Sequence, residues 1–248
     1  MVPIRKGDGT AVVADGIRQV RTGDGRILFE GDAIPDSVEH RWRFDEGTGS
    51  TFSDTIGSID GSLNGAGWES DSRFTGGFAV STDGVDDHPR TDSEFGLNNA
   101  QFTFVGWYNW TATDDFGRLA STIEQPGDRG DVGWQIFIDG SGPEIGVQYD
   151  GTSSDVLRDV PGMEVPANED IMVALVGNGD QATLYLYDSD GQYFSASATG
   201  SRTTGDRHLM LMAGDNNYVE GAVDDVMIST TDALAESDID DIWSSTVR

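Results

Sequence analysis

At 248 residues, with 36% apolar side chains, 33 glycines and no cysteine, the chain can bury one large core and has no thiol for disulfide or metal-thiolate chemistry. Its 44 acidic and 15 basic residues leave a net charge of −29, which speaks against nucleic-acid binding, and no apolar run approaches the roughly 20 residues of a membrane-spanning helix. The acids are mostly aspartates spread between the strands, and Lys6 is the single lysine beside fourteen arginines; this coat points to a halophilic source, where salt screens its self-repulsion.

Residues 1–36 read as a separate arm. Asp8-Gly9 precedes Thr10-Ala11-Val12-Val13, and Asp24-Gly25 precedes Arg26-Ile27-Leu28-Phe29. An Asp-Gly pair before a β-branched or apolar run is a hairpin signal. The arm has too few apolar residues to fold alone. It is read either as an anchor that pairs with a partner chain or as a loosely docked extension. The start lacks the apolar segment of a secretory signal, so none is expected there. Ile34-Pro35-Asp36-Ser37 is the linker.

From residue 37 to 248 the pattern predicts one all-β domain. Trp42 and Phe44 mark a short strand, Phe78–Val80 another, and an acidic turn follows. Phe102, Phe104, Gly106, Tyr108 and Trp110 share one face of a long strand while Val105 and Trp107 share the other, as expected of a strand covered on both sides. Further short strands follow, with Leu184 and Leu186 inward and Tyr185 and Tyr187 outward. A dozen strands with polar turns predict a two-sheet sandwich or jelly roll. Near the end, Ser237 is positioned to cap a short helix over 238–244, whose stripe of Ile239, Ile242 and Trp243 is expected to seal the sandwich edge.

Five segments, in order, resemble a known family: Trp42-Arg43-Phe44-Asp45-Glu46-Gly47, the loop from Asp54 to Leu63, Thr82-Asp83-Gly84-Val85-Asp86-Asp87, Phe102-Thr103-Phe104-Val105-Gly106-Trp107, and Gly221-Ala222-Val223-Asp224-Asp225-Val226 with its short helix. Together they are similar to the laminin-G-like members of the concanavalin A-like jelly rolls, over about 40–247. His88-Pro89 departs from the pattern, and residues 1–36 lie outside it. The resemblance implies a two-sheet jelly roll used for non-catalytic recognition. It also implies a structural Ca²⁺ near the acidic turn and the last strand, with Asp83 and Asp224 leading and Asp86 and Asp225 next. The alternative is a solvated acidic turn, because an aspartate-rich coat produces such pairs by chance.

No catalytic constellation stands out. The alternating carboxylates of jelly-roll glycosidases are absent, G-x-S-x-G does not occur, and His40, His88 and His208 have no metal-ligand spacing. Sugar binding uses aromatics presented beside polar groups, which selects Tyr149, Tyr193 and the group Asp215, Asn216, Asn217 and Tyr218. Asn109-Trp110-Thr111 fits a glycosylation acceptor but falls inside a strand.

These features predict a non-enzymatic structural protein of a virion surface, assembled in the cytoplasm of a halophilic archaeon infected by a tailed virus. Residues 1–36 would dock it to other virion proteins as a homo-oligomer, and the jelly roll would contact host surface glycans. The alternatives are a cellular extracellular adhesion or lectin module and a glycan hydrolase accessory domain.

Overall fold

The computed structural model describes residues 34–70, 77–97, 99–112, 116–122, 133–139, 144–149, 155–158, 160–165, 167–200, 206–214 and 217–246, together with four short strands between residues 4 and 30. Those four strands form two hairpins. β1 (Ile4–Arg5) pairs with β2 (Ala11–Val12) and β3 (Gln19–Arg21) with β4 (Ile27–Glu30), each across one of the two Asp-Gly segments.

The domain is a two-sheet sandwich. The first strands of its chain are β5 (His40–Trp42), β6 (Thr51–Phe52), β7 (Gly61–Ser62), β8 (Gly67–Ser70), β9 (Phe78–Asp83), β10 (Arg90–Thr91) and β11 (Gln101–Ala112). Next come β12 (Gly117–Ser121), β13 (Gln135–Asp139), β14 (Glu144–Gln148), β15 (Asp155–Leu157), β16 (Ile171–Asn178), β17 (Gln181–Asp188) and β18 (Gly191–Thr199). The last are β19 (Met210–Leu211), β20 (Ala213–Gly214), β21 (Asn217–Tyr218), β22 (Glu220–Ser229) and the helix α1 (Glu236–Thr246). Sheet I runs β15-β14-β13-β12-β19-β10-β7-β6, and sheet II runs β18-β17-β16-β11-β22-β9-β8 with β5 added on β22. All the ladders are antiparallel.

The period-2 pattern of β11 explains its central place. Phe102, Phe104, Tyr108 and Trp110 enter the core between the sheets, where Trp134 stacks on Phe102 at 5.3 Å and Leu184 and Leu186 join them from β17 of the same sheet. Val105 and Trp107 enter a second cluster on the outer face of sheet II with Met172, Ala174, Tyr187, Ile239 and Ile242. The helix therefore covers a sheet face, where a sealed edge was expected. It is held there by Trp107 Nε1 donating to Thr246 Oγ1 at 3.0 Å, Tyr187 hydroxyl to Asp240 at 2.8 Å and Trp243 Nε1 to Asp188 O at 2.9 Å. It also begins earlier than Ser237: the Asp238 carboxylate accepts from the Ala235 amide at 3.2 Å, so Ala235 stands at the cap.

β22 carries one irregularity. Between Val105↔Met227 and Trp107↔Asp224, β22 carries one residue more than β11, and Asp225 takes φ +44°. That bulge breaks, at Asp224 and Asp225, the strict alternation of a regular strand. Both are fully buried.

Candidate functional site

The acidic turn after β9 brings Asp83, Asp86 and Asp87 together, with one carboxylate oxygen of each within 4.8 Å of the others. Gly84, at φ +73°, makes the turn possible. The Asp83 amide donates to Asp87 Oδ2 at 2.9 Å and the Val85 amide to Asp83 Oδ1 at 2.9 Å. Burial, then the charges of Asp83 and Asp86, pushes the Asp87 carboxyl above its usual range. Three hard oxygen donors on one turn fit a calcium ion chemically. Asp224 and Asp225 do not join them. Asp83 is opposite Glu220 on β22, and Asp224 lies four residues further along, opposite Trp107. Asp225 is committed to Arg41, whose Nε and Nη2 donate to its two carboxylate oxygens at 2.6 and 2.8 Å.

The expected sugar-binding aromatics also part company. Tyr149 is completely buried: its ring stacks beside Phe102 at 6.2 Å and its hydroxyl donates to Gly179 O at 3.2 Å. A ring inside the core cannot stack on a sugar, so Tyr149 is withdrawn from the recognition set. Tyr193 stays 38% exposed on β18, its hydroxyl pKa raised by burial and by the charges of Asp188 and Glu169. Asn217 and Tyr218 are half-buried on the β20–β21 hairpin, whereas Asp215 and Asn216 lie outside the described residues. Tyr193 belongs to the edge of sheet II and Tyr218 to a hairpin beside β12, so they form no common site.

The sequence reading missed a third constellation, on the face of sheet I that points away from the core. On β13 and β14, Ile136, Ile138, Ile145 and Val147 enter the core. Their alternates Gln135, Phe137, Asp139, Glu144, Gly146 and Gln148 face the other way. The ladders align Ser121, Gln135 and Gln148 in one row and Arg118, Phe137 and Gly146 in the next. Arg118 Nε donates to Gln135 Oε1 at 2.8 Å, and Gln135 Nε2 donates to Gln148 Oε1. The Arg118 guanidinium lies 5.6 Å from the Phe137 ring and 5.9 Å from that of Phe116, while Arg158 covers Phe116 at 4.9 Å and donates to Asp139 Oδ2 at 2.5 Å. Phe137 lies flat across Gly146, where a Cβ would stand 2.1 Å from the ring. Arg118, Gln135 and Gln148 are each at most 5% exposed.

Amides, a guanidinium group and aromatic rings are the chemistry that polyhydroxylated ligands use, but Arg118, Gln135, Phe137 and Gln148 are nearly as buried as Tyr149, so a ligand meets this face at the half-buried Phe116 and Glu144 and the exposed Arg158, which the buried row holds in place. The signal was present in the alternation of Gln135, Phe137 and Asp139 with Ile136 and Ile138, and of Glu144, Gly146 and Gln148 with Ile145 and Val147. Asn109 is 4% exposed and its amide donates to Asp170 at 2.5 Å, so it is no acceptor for glycosylation in the folded state.

Comparison with known proteins agrees with the fold. The Laminin_G_3 model of the concanavalin A-like lectin/glucanases superfamily matches residues 83–240. No curated protein matches the sequence significantly. Among solved structures, Trypanosoma rangeli sialidase shares 14% identity and a TM-score of 0.65 over 92% of this chain and 35% of its own. The binding domain of Paraclostridial Mosquitocidal Protein 1 shares 14% identity at TM-score 0.63 over 85% of this chain and 52% of its own. Domain 4 of a GH43 extracellular arabinanase from Geobacillus stearothermophilus, solved with arabinotriose, shares 14% identity at TM-score 0.61 over 83% of this chain and 98% of its own. The chain thus spans about a third of the sialidases it matches and nearly the whole of the arabinanase domain. With the family model covering more than half of its length, the protein belongs to the laminin-G-like Laminin_G_3 family of the concanavalin A-like lectin/glucanase superfamily.

Proposed function

We propose that the protein is a non-catalytic glycan-recognition domain displayed on the surface of a virion that infects a halophilic host. The observation that carries the recognition half is the accessible group Phe116, Glu144 and Arg158 on the outer face of sheet I, held by the buried Arg118–Gln135–Gln148 chain and by Phe137. The arabinanase domain solved with arabinotriose lends support, being a fold neighbour over nearly all of its own length. Non-catalytic use is supported by the state of the carboxylates on this face: Asp139, which is opposite Glu144 in the ladder, is already held by Arg158.

The test is a glycan array probed in molar salt with the wild type and with Phe116→Ala and Arg158→Met, both at accessible positions. Binding that both variants lose, at unchanged thermal stability, supports the reading. Binding that survives both moves the site elsewhere, and an array without any hit removes the glycan. Hydrolysis of a bound glycan that disappears in Glu144→Gln would make the protein an enzyme.

The virion half rests on the composition and on the arm of residues 1–36, which would dock to other virion proteins in an oligomer assembled in the host cytoplasm. Its test is detection in purified particles and loss of incorporation on deleting 1–36. A cellular adhesion or lectin module is the second reading, favoured because the fold neighbours include parts of larger proteins; recovery from the cell envelope instead of particles would select it. Calcium belongs to this proposal as a structural ion on Asp83, Asp86 and Asp87. It predicts a lower melting temperature in chelator that returns with added Ca²⁺.

A further inference from the structure

The four ends of the two sheets are unequal. Sheet I ends in β6, of two residues, and β15, of three; sheet II ends on one side in β8, of four residues including Glu69. Short or charged edge strands are how proteins prevent edge-to-edge pairing. The remaining end is β18, of nine residues, Gly191-Gln192-Tyr193-Phe194-Ser195-Ala196-Ser197-Ala198-Thr199. It contains no charge and no proline, in a chain of which 24% is charged. Among the described residues β18 forms a ladder only with β17; β15 and α1 pack against it without one, the helix through Trp243 near Gly191.

We propose that a second copy of this chain pairs antiparallel with β18, joining two copies of sheet II into one continuous sheet across a two-fold axis at Ser195. The strand is self-complementary in that register. Phe194 falls opposite the partner's Ala196, a large residue facing a small one, while Tyr193, the bulged residue of β18 between Leu186↔Phe194 and Tyr187↔Gln192, ends the regular segment, so the pairing runs from Phe194 to Ala196 about the axis. Phe194, Ala196 and Ala198 point to the core and are only partly buried, while Tyr193, Ser195, Ser197 and Thr199 are exposed on the other face. A neighbouring strand would finish burying Phe194. The nearest acids along the chain, Asp188 and Asp190, sit in or beside the turn before the strand, outside the paired segment. This argument is independent of the glycan reading.

Two copies of a chain with net charge −29 repel, so salt controls the pairing. At molar salt the screening length falls to about 3 Å and the ladder forms; in dilute buffer the copies separate. A hetero-partner strand is disfavoured because the complementarity is of the strand with itself.

The experiment uses sedimentation of the full chain across a salt series, with Ser195→Asp and Ser195→Cys. In an antiparallel pair, opposed residues have Cα atoms about 4.5–5.5 Å apart, within the span of a disulfide. The chain has no cysteine of its own, so Ser195→Cys should cross-link into a covalent dimer on mild oxidation in high salt. Ser50→Cys, exposed on a distant loop, should not. Wild type should sediment as a dimer in high salt, and Ser195→Asp as a monomer with an unchanged melting curve. A monomeric wild type in high salt, a dimer indifferent to Ser195→Asp, or cross-linking no faster than the Ser50→Cys control would overturn the proposal.

Discussion

Arg41 and Asp225, 184 residues apart in the chain, meet as a buried bidentate pair at 2.6 and 2.8 Å. Arg41 lies on β5, opposite Met227, and Asp225 is the bulged residue of β22, so the pair binds the first strand of the domain to the last. Asp225 was expected at a metal site. The bulge hands it to an arginine.

Removing one partner leaves the other charge buried, which costs about 3–5 kcal/mol. Arg41→Ala and Asp225→Ala should therefore each destabilise the domain strongly in denaturant titrations. Asp225→Asn keeps a residue that tolerates φ > 0 and isolates the charge. Arg41→Met combined with Asp225→Asn should recover much of the loss. A double variant as unstable as the sum of its parts would show that the bulge, and not the ion pair, is what matters.

Asp54 sets a pH dependence. Burial alone would raise its carboxyl, but His40 at 2.6 Å and the amides of Arg41, Gly57 and Ile59 outweigh it and hold the pKa at about 2. A carboxyl depressed on folding stabilises above its unfolded pKa of about 3.9, and that contribution is lost as pH falls through about 2. The shift corresponds to roughly 2 kcal/mol. The stability gap between wild type and Asp54→Asn should thus be constant above about pH 5 and shrink below pH 4. A gap that stays constant to pH 2 would remove the carboxylate from the account.

Tyr108 supplies a prediction of the opposite sign. Its ring is wholly buried between Gly106 and the core, and its hydroxyl has no hydrogen-bond partner among the described residues. A buried unsatisfied hydroxyl costs about 1–3 kcal/mol. Tyr108→Phe should be neutral or stabilising by about 1 kcal/mol in the same titration, and a clear loss would mean that the hydroxyl is satisfied.

Parts of this architecture were legible because one residue type has one consequence. The Asp-Gly segments mark both N-terminal hairpins, and the two faces of β11 are already separated by Phe102 and Phe104 on one side and Val105 and Trp107 on the other. What escaped depends on long-range pairing. Period-2 alternation gives two faces without saying which is covered, so the pattern does not show that Gln135 and Gln148 are buried, and Tyr149 was expected as a sugar-binding aromatic although it too is buried. The stripe of α1 was readable, but whether it meets an edge or a face depends on Trp107 and Tyr187, far away in the chain. Nothing local announces the bulge at Asp225.

The aromatic floor of the sheet I face can be tested without any ligand. Phe137 reaches across Gly146 on the neighbouring strand, and a Cβ at 146 would lie 2.1 Å from Cζ and 2.4 Å from Cε2 of that ring. The ring cannot withdraw freely, because the Arg118 guanidinium lies 5.6 Å from its centre and Phe116 meets it edge-on at 5.8 Å. Gly146→Ala should therefore behave as an over-packing change and cost about 1–3 kcal/mol. Phe137→Leu on the Gly146→Ala background should restore part of the loss, because the shorter side chain no longer crosses residue 146. The rescue is the informative arm. If Gly146→Ala is harmless, or if Phe137→Leu only adds to its cost, the ring does not lie across the strand, and the Arg118–Gln135–Gln148 chain loses the apolar floor on which the recognition reading depends.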